Sequence, residues 1–179
     1  IETHVRTLAQ AEAALGAEVR VYCVNHLPGP TLEEQDGPVR VTRFGRFASF
    51  LKLDLCRGLA RALRRCDAEI LHLQVPNPTM ILACLLARPR PPVLVTYQSD
   101  YLRQKIAGAF FRPLERAFFR RARAILATSP PYASSSTFLQ AYQERLDVLP
   151  IGIDLRPYME PSAEDRAAAR VKALEAAER

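Results

Sequence analysis

The sequence predicts an α/β fold built on a doubly wound, mostly parallel sheet that is flanked by helices. Segments with strand-like patterns alternate with segments of helical periodicity through most of the chain. The later strand segments, such as residues 93–97, are short and apolar without alternation, which is typical of parallel strands covered on both faces. The 179 residues are enough for one large domain with a sizeable core.

The first part of the chain predicts a helix, a strand, a loop and a second strand. Apolar residues recur every three or four positions over residues 2–15, and Gly16 suits the end of that helix. Residues 18–24 are rich in β-branched side chains and predict a strand. Residues 26–38 contain Pro-Gly-Pro and Gly-Pro turns and predict a loop. Residues 39–44 alternate in polarity and predict the second strand.

The middle of the chain predicts two helices and two buried strands. Leucines spaced four apart, with arginines on the flanks, predict a helix over residues 48–66. A short apolar strand follows at residues 69–73, and then a helix at residues 79–87. The prolines within residues 89–92 impose an extended connection to the strand at residues 93–97.

The last part of the predicted domain continues the same alternation. Residues 100–111 have a helical pattern, and a proline in the first turn suits a further helix over residues 113–122. Strands are predicted at residues 124–128 and 146–149, with a helix over residues 132–142 between them. Strand and helix thus alternate to the end of the domain, as right-handed crossovers of a parallel sheet require.

The chain starts at a helix, where a doubly wound sheet normally starts with a central strand and a glycine-rich turn. We therefore expect the first strand to precede Ile1. A nucleotide-dependent oxidoreductase would carry G-x-G-x-x-G after that strand, and these residues contain no such motif. That alternative would need the motif upstream of Ile1.

The net charge of +6 is concentrated in residues 46–65 and 103–123. Basic surface of this kind favours an anionic partner, which could be phosphate, nucleic acid or an anionic membrane. Two solvated helix faces account for the same arginines equally well. Nucleic acid is disfavoured as a partner, because the arginines are not interleaved with exposed stacking aromatics in a recognised module.

Cysteines and histidines give no metal site and no disulfide framework. The cysteines are widely spaced without a C-x-x-C motif, so we expect free thiols in a reducing cytosol. The three histidines have no metal-ligand spacing. No apolar run reaches the roughly eighteen residues that span a bilayer.

A cluster of hydrogen-bonding side chains follows the strand at residues 93–97. Ligands of open α/β sheets bind at the carboxyl ends of the strands, so this cluster predicts a ligand site. Its members are Thr96, Gln98, Ser99, Asp100 and Arg103.

Five segments resemble motifs of the family 4 glycosyltransferases, each at the boundary of a predicted element. IETHVRTLA at residues 1–9 resembles their first-helix motif, and EILHLQ at residues 69–74 resembles their D-V-V-H-x-H strand. TYQSD at residues 96–100 resembles their T-x-H-x-D strand end, and ATSP at residues 127–130 resembles their A-x-S turn. VLPIGID at residues 148–154 resembles the V-I-P-x-G-I-D segment that closes their N-terminal domain.

The resemblance implies one half of a GT-B fold, in which two Rossmann-like domains face a cleft. Residues 1–157 would be the N-terminal, acceptor-side domain, and residues 158–179 a helical linker, N-capped by Ser162, toward a donor-binding domain. The family implies a retaining transfer of a sugar from a nucleotide-diphosphate sugar to a glycan or lipid-linked acceptor. It implies no metal, because helix dipoles and basic side chains can neutralise the diphosphate. The fragment alone would be inactive.

The resemblance also assigns site residues. The strand-end positions near the chemistry are Gln98 and Asp100. The acceptor-side positions are Gln74, Asn77, Arg103, Lys105 and Tyr132. The positions closest to the donor phosphates are Glu2, Thr3 and His4.

Both Gln98 and Gln74 stand where the family has histidine. Glutamine forms hydrogen bonds but does not titrate near neutral pH, so neither can be a general acid or base. Gln98 would position a sugar, or would merely form a structural hydrogen bond. Asp100 would accept from a substrate hydroxyl, or would cap the following helix. The basic side chains at Arg103 and Lys105 would bind an anionic acceptor, or would be one exposed side of a helix.

Three further points stay open at this stage. Phenylalanines and arginines interleave over residues 110–123, as in an interfacial helix on an anionic membrane. We expect the phenylalanines to pack on the sheet, and leave membrane contact by the arginines open. His72, between Leu71 and Leu73, is expected to be a satisfied buried histidine. The protein would be cytoplasmic, at the inner face of the membrane; the rival is a non-catalytic sugar- or partner-binding module.

Overall fold

The structure is a computed structural model that describes residues 2–50, 53–99 and 105–152, with residues 105–110 described by their backbone alone. Within these ranges the chain forms eight strands, five α-helices and a 3₁₀ helix over Leu139–Arg145. The strands are β1 (Arg20–Pro28), β2 (Leu32–Asp36), β3 (Val39–Phe50), β4 (Leu53–Cys56), β5 (Leu71–Val75), β6 (Val93–Tyr97), β7 (Ala122–Ala127) and β8 (Leu146–Val148). The helices are α1 (Glu2–Ala14), α2 (Leu59–Arg64), α3 (Pro78–Ala87), α4 (Lys105–Phe119) and α5 (Pro130–Ser135).

The second half of the domain is a parallel sheet in the order β5-β6-β7-β8. Helices connect its strands, as parallel pairing requires. β6 is buried along most of its length, with Val95 and Tyr97 almost fully enclosed. Continuous apolar strands therefore predicted a parallel, covered sheet correctly, and the α/β class is confirmed.

The first half is a separate mixed sheet. β1 pairs with β3 in parallel, whereas β2 and β4 pair with β3 antiparallel. α1 packs on this sheet, where Ala9 joins Val39 and Val41 in a small apolar cluster. In the described residues the predicted single sheet is therefore divided into two.

Among the described residues, β1 and β5 each have a strand partner on one side only. Arg20, the first residue of β1, contacts Asp67 shortly before β5, with Nη1 and Oδ1 2.9 Å apart. Phe44 of β3 belongs to the large core of the parallel half and meets Tyr22 edge-on at 5.5 Å between ring centroids. The expected strand before Ile1 stays a prediction.

The predicted helix over residues 48–66 is wrong in its first half. β3 continues to Phe50 and β4 begins at Leu53, and among the described residues of this stretch α2 alone is helical. Gly58, at φ 90°, separates β4 from α2, a conformation that glycine adopts without steric cost. Leu59 and Leu63 are buried as the leucine pattern predicted. The preceding leucine spacing fits a strand pair equally well, which is why periodicity misled there.

The predicted loop over residues 26–38 contains a strand. β2 lies there and is exposed along almost its whole length. Its sequence, LEEQD, has no buried face and so shows no apolar alternation. The expected turn at Gly37-Pro38 is present after this strand, whereas Pro28 ends β1 and residues 29–31 form an irregular connection.

Two helix boundaries also differ from expectation. Pro113 lies inside the single helix α4, although proline was expected to begin a new one. The apolar side of α4 offsets the missing hydrogen bond, since Phe118 and Phe119 are buried as expected. The predicted helix over residues 132–142 is interrupted after α5, where Ser136 adopts an extended conformation, and resumes as the 3₁₀ helix. The predicted helical tail lies outside the described residues.

The core of the parallel half is strongly aromatic. Tyr97 is stacked with Phe138 at 5.4 Å and meets Phe119 edge-on at 5.6 Å. Phe119 in turn contacts Phe138 and Tyr142. This group fixes the end of β6 against α4 and the 3₁₀ helix, and so fixes the edge where the candidate site lies.

Candidate functional site

The site is built where β5 and β6 end side by side. Their register pairs Gln74 with Thr96 and Val75 with Tyr97. The backbone N–H of Gln98 donates to Val75 O at 2.9 Å, which extends the pairing one step beyond the strand. The segment 96–98 is therefore held directly beside the end of β5.

Four polar side chains from the two strands form one hydrogen-bonded row on the same face, here called the polar row: His72, Gln74, Thr96 and Gln98. Residues two apart in a strand share a face, which places His72 beside Gln74 and Thr96 beside Gln98. Thr96 Oγ1 lies 2.7 Å from His72 Nε2, and Gln74 Nε2 lies 3.2 Å from the same nitrogen. Gln98 Nε2 donates to Gln74 Oε1 at 2.8 Å.

His72 is the titratable member of the polar row. Burial lowers the pKa of His72 below its ordinary value, and the nearby His4 lowers it further. The imidazole is therefore neutral at neutral pH. This agrees with the expectation of a satisfied, non-catalytic histidine.

The start of α1 lies beside this row. His4 is half-buried and close enough to His72 to act on its pKa, whereas Glu2 and Thr3 are exposed. The three side chains predicted near the donor phosphates therefore begin a helix that approaches β5. Whether they contact a phosphate stays a prediction.

Asn77 follows β5 and begins α3. Its Oδ1 accepts from Met80 N at 3.1 Å, so Asn77 is the N-cap of that helix. The Val75–Pro76 peptide bond before it is cis. The acceptor-binding role predicted for Asn77 would thus fall to its amide nitrogen, since the oxygen caps the helix. The N-terminus of α3, with its partial positive charge, lies at this edge of the sheet.

Tyr132, in α5 after β7, packs against the aromatic core. Its ring is stacked on Tyr97 at 6.0 Å with 8° between the planes, and the side chain is half-buried. Ser129 caps α5 by accepting from Tyr132 N at 3.3 Å. The structure therefore gives Tyr132 a packing role, and its predicted contact with an acceptor stays a prediction.

The remaining predicted residues cannot be compared in the same way. Asp100 and Arg103 lie outside the described residues. Lys105 is the first residue of α4, but its side chain belongs to the part described by backbone alone. Gln74 and Gln98 are thus the predicted site residues that the structure brings into direct contact with each other.

The site as described is a neutral hydrogen-bonding surface. The amides of Gln74 and Gln98 can donate to and accept from hydroxyl groups, and the N-terminus of α3 adds partial positive charge. Across the described ranges, no group of three or more His, Cys, Asp or Glu side chains is placed to hold a metal ion. None of the helices in these ranges combines the length and the hydropathy that a membrane-spanning segment needs.

The sequence did not predict the contact between His72 and Thr96. Each was noticed singly, one as a buried histidine and the other as part of a strand-end cluster. The signal lay in the pair of alternating segments, HLQ in β5 and TYQ in β6, whose polar positions face the same side once the strands are in register.

The fold and the site together define an α/β domain whose parallel strands end in side chains able to form hydrogen bonds with sugar hydroxyls. Residues 1–152 match the family described as the glycosyl transferase 4-like domain, and the chain belongs to that family. The resemblance drawn from the five motifs is thereby confirmed.

Two curated relatives match parts of the chain. The O-antigen chain mannosyltransferase C of Escherichia coli is 36% identical over 88 residues, which are 49% of this chain and 24% of that protein. The D-rhamnosyltransferase WbpZ of Pseudomonas aeruginosa is 34% identical over 98 residues, 55% of this chain and 26% of that protein. The matched segment thus spans about a quarter of each relative.

Proposed function

We propose that this domain is the acceptor-side half of a retaining glycosyltransferase, which transfers a sugar from a nucleotide-diphosphate sugar to a glycan or lipid-linked acceptor. Membership of the glycosyl transferase 4-like family supports sugar transfer as the activity of the whole protein. The mannosyl- and rhamnosyltransferase relatives support a hexose or deoxyhexose as the transferred sugar, and the name of the first supports an O-antigen chain as its destination.

The polar row is the observation that carries this proposal. Its outer member Gln98 is half-buried at the carboxyl end of β6, where one side chain can meet both the protein and a ligand. Neutral amides suit sugar hydroxyls, which both donate and accept hydrogen bonds. Removing one good hydrogen-bonding partner from such a site typically costs about 0.5–1.5 kcal/mol, or more if a polar group is left buried and unpaired.

The chemistry follows from what this edge supplies and what it lacks. Glycosyl transfer needs a positioned acceptor hydroxyl and stabilisation of charge at the departing diphosphate. Glutamines position but do not transfer protons, so proton transfer falls to Asp100, to the substrates or to the donor-binding half. No metal cofactor is required in this proposal, since helix N-termini and basic side chains balance the diphosphate.

The partners and location follow as further parts of the proposal. The acceptor is a glycan or lipid-linked sugar, and the protein works in the cytoplasm at the inner face of the membrane. Arg112 and Arg116 on α4, and Arg120 directly after it, are available for peripheral contact with anionic lipid, although Arg112 also lies over the Phe138 ring at 5.2 Å.

A donor-transfer assay on the whole natural protein tests the proposal. GDP-, UDP- and dTDP-linked sugars are supplied separately, with and without membranes that carry lipid-linked acceptors, and sugar incorporation is measured. We expect one nucleotide-sugar to be used, with activity that requires acceptor and survives EDTA. Substitution of Gln98 by alanine should lower kcat/KM about tenfold, consistent with a lost hydrogen bond. Saturable sugar binding without any transfer would favour the alternative, a non-catalytic sugar-binding module. That alternative is supported by the glutamines at positions 74 and 98, neither of which titrates near neutral pH.

A further inference from the structure

The polar row has a defined direction of hydrogen bonding, because an amide nitrogen can only donate. Gln74 Nε2 lies against His72 Nε2 and must donate to it, so that ring nitrogen carries no proton. The Thr96 hydroxyl, 2.7 Å from the same nitrogen, must then donate as well. His72 is therefore the neutral tautomer protonated at Nδ1.

This direction passes outward through the two glutamines. With its nitrogen turned to His72, Gln74 turns its oxygen toward Gln98. Because that oxygen accepts, Gln98 must donate to it through its own nitrogen. Gln98 Nε2 donates to Gln74 Oε1 at 2.8 Å. The orientation of each amide is thus set by the one before it, starting from the histidine.

The outer end of the row is therefore an acceptor. Gln98 Oε1 has no hydrogen-bond donor among the described residues, and it belongs to a half-buried side chain at the strand end. Were Nε2 of His72 protonated, both amides would turn over and Gln98 would offer N–H groups instead. The contact of Gln74 Nε2 with His72 Nε2 at 3.2 Å selects the first arrangement, because two N–H groups cannot face each other in a hydrogen bond.

We propose that His72 is a positioning residue that, through Gln74, makes Gln98 present its carbonyl oxygen to a hydroxyl group of the sugar substrate. This assignment rests on the proposed function and specifies how that site discriminates among sugars. The site selects a sugar that donates a hydrogen bond at this position. A fluorine in place of that hydroxyl cannot donate, so the site rejects the fluorinated sugar.

The test compares the nucleotide-sugar used by the whole natural protein with its monodeoxy-fluoro analogues, one hydroxyl at a time. We expect one analogue to be poorer by tenfold or more in kcat/KM. His72→Phe, which keeps a flat ring but removes the acceptor, should reduce that discrimination to about threefold or less. His72→Gln, whose Oε1 can accept in place of Nε2, should restore it.

A purely structural role would lower activity toward all the sugars alike and leave their ratio unchanged, and that result would overturn the assignment. Absence of transfer by the unaltered protein would overturn the proposed function and this assignment together. Nitrogen-15 NMR of His72 in the unaltered protein gives a second measurement that does not depend on variants that fold. A neutral ring protonated at Nδ1 supports the assignment, and a ring protonated at Nε2 contradicts it.

Discussion

The two sheets of this domain are stabilised in different ways. The parallel sheet β5–β8 lies in one large apolar cluster that includes the aromatic group around Phe119. The mixed sheet β1–β4 has a small cluster around Val39 and Val41, together with ion pairs on its surface. Those ion pairs are Arg6–Asp36, Arg20–Glu18, Arg20–Asp67, Arg43–Glu34 and Arg46–Asp54.

The difference indicates which half is the more rigid support for a site. Apolar burial contributes most of the stability of a domain, whereas exposed ion pairs contribute little. The polar row lies on β5 and β6, so its geometry is set by the better-packed half. The mixed sheet contributes Phe44 to the shared core and is expected to open first when the protein is stressed.

The largest expected effect concerns thiol reactivity in the better-packed half. Cys84 in α3 is buried, and burial raises its pKa to about 12. At pH 8 the reactive thiolate is then about 10⁻⁴ of the population, against roughly a quarter for an ordinary cysteine of pKa about 8.5. A variant that retains only Cys84 should react with a disulfide reagent about a thousandfold more slowly when native than in urea. A variant that retains only the half-buried Cys66 is the control; equal native rates would show that α3 opens readily.

A matched pair of valines compares the two cores. Val95 in β6 is fully buried in the large cluster, and Val39 in β3 is almost fully buried in the small one. Val95→Ala should lower the free energy of opening of its sheet by about 2.5 kcal/mol, from lost burial and the cavity left behind. Val39→Ala should cost about 1–1.5 kcal/mol, because its sparse surroundings can relax. Hydrogen exchange of peptides from β5–β7 and β1–β3 measures both free energies of opening. Equal losses in the two variants would show that the two cores are equally well packed.

A pair of glycines tests how tightly the mixed sheet holds the β1–β2 connection. A β-carbon at Gly45 would collide with the backbone of Gly29 and lie 2.8 Å from the carbonyl carbon of Pro30. Gly45→Ala should therefore cost about 1–2 kcal/mol, since backbone cannot swing aside as a side chain can. Gly29→Ala, where the β-carbon would meet no atom within 4 Å, is the control and should be nearly neutral. Urea-dependent hydrogen exchange of β1–β3 distinguishes the two; a neutral Gly45→Ala would mean that the connection adapts.

The smallest effect is expected from the ion pair between Arg6 and Asp36. The Arg6 guanidinium donates to both Asp36 oxygens at 2.7 and 2.9 Å and lowers the pKa of that carboxyl. Because the folded pKa lies below the unfolded one, any stabilisation is present above the unfolded pKa and is lost as pH falls through the folded pKa. Carbon-13 NMR titration should show a pKa for Asp36 that returns toward its ordinary value in Arg6→Gln and at high salt. An unchanged titration would show that Arg6 does not lower the pKa of Asp36.

The parallel half was largely predictable from sequence, and the mixed half was not. The apolar run at Val93–Tyr97 has one physical reading, a covered strand, and the structure gives the same bounds. β2 is exposed and has no buried face, so its sequence shows no alternation of apolar and polar residues. The spacing of the leucines before Gly58 fitted a helix as well as a strand. Within the site, Gln74 and Gln98 could be placed at strand ends from the motifs. Their mutual contact and the Thr96–His72 bond depend on register, which one strand's sequence does not specify.

Photo-crosslinking of the whole natural protein tests whether the sugar substrate binds at the polar row. A diazirine-bearing analogue of the sugar substrate is irradiated in the bound state, and the labelled peptides are mapped by mass spectrometry. We expect labelling of residues 71–78 and 93–99, competed by the unmodified substrate. A cavity near the amino ends of β5 and β6 is the internal control. Its lining residues include Arg64, Arg65, Asp67 and Arg90. Labelling confined to that cavity, with residues 71–78 and 93–99 unmodified, would show that the sugar does not bind at the polar row.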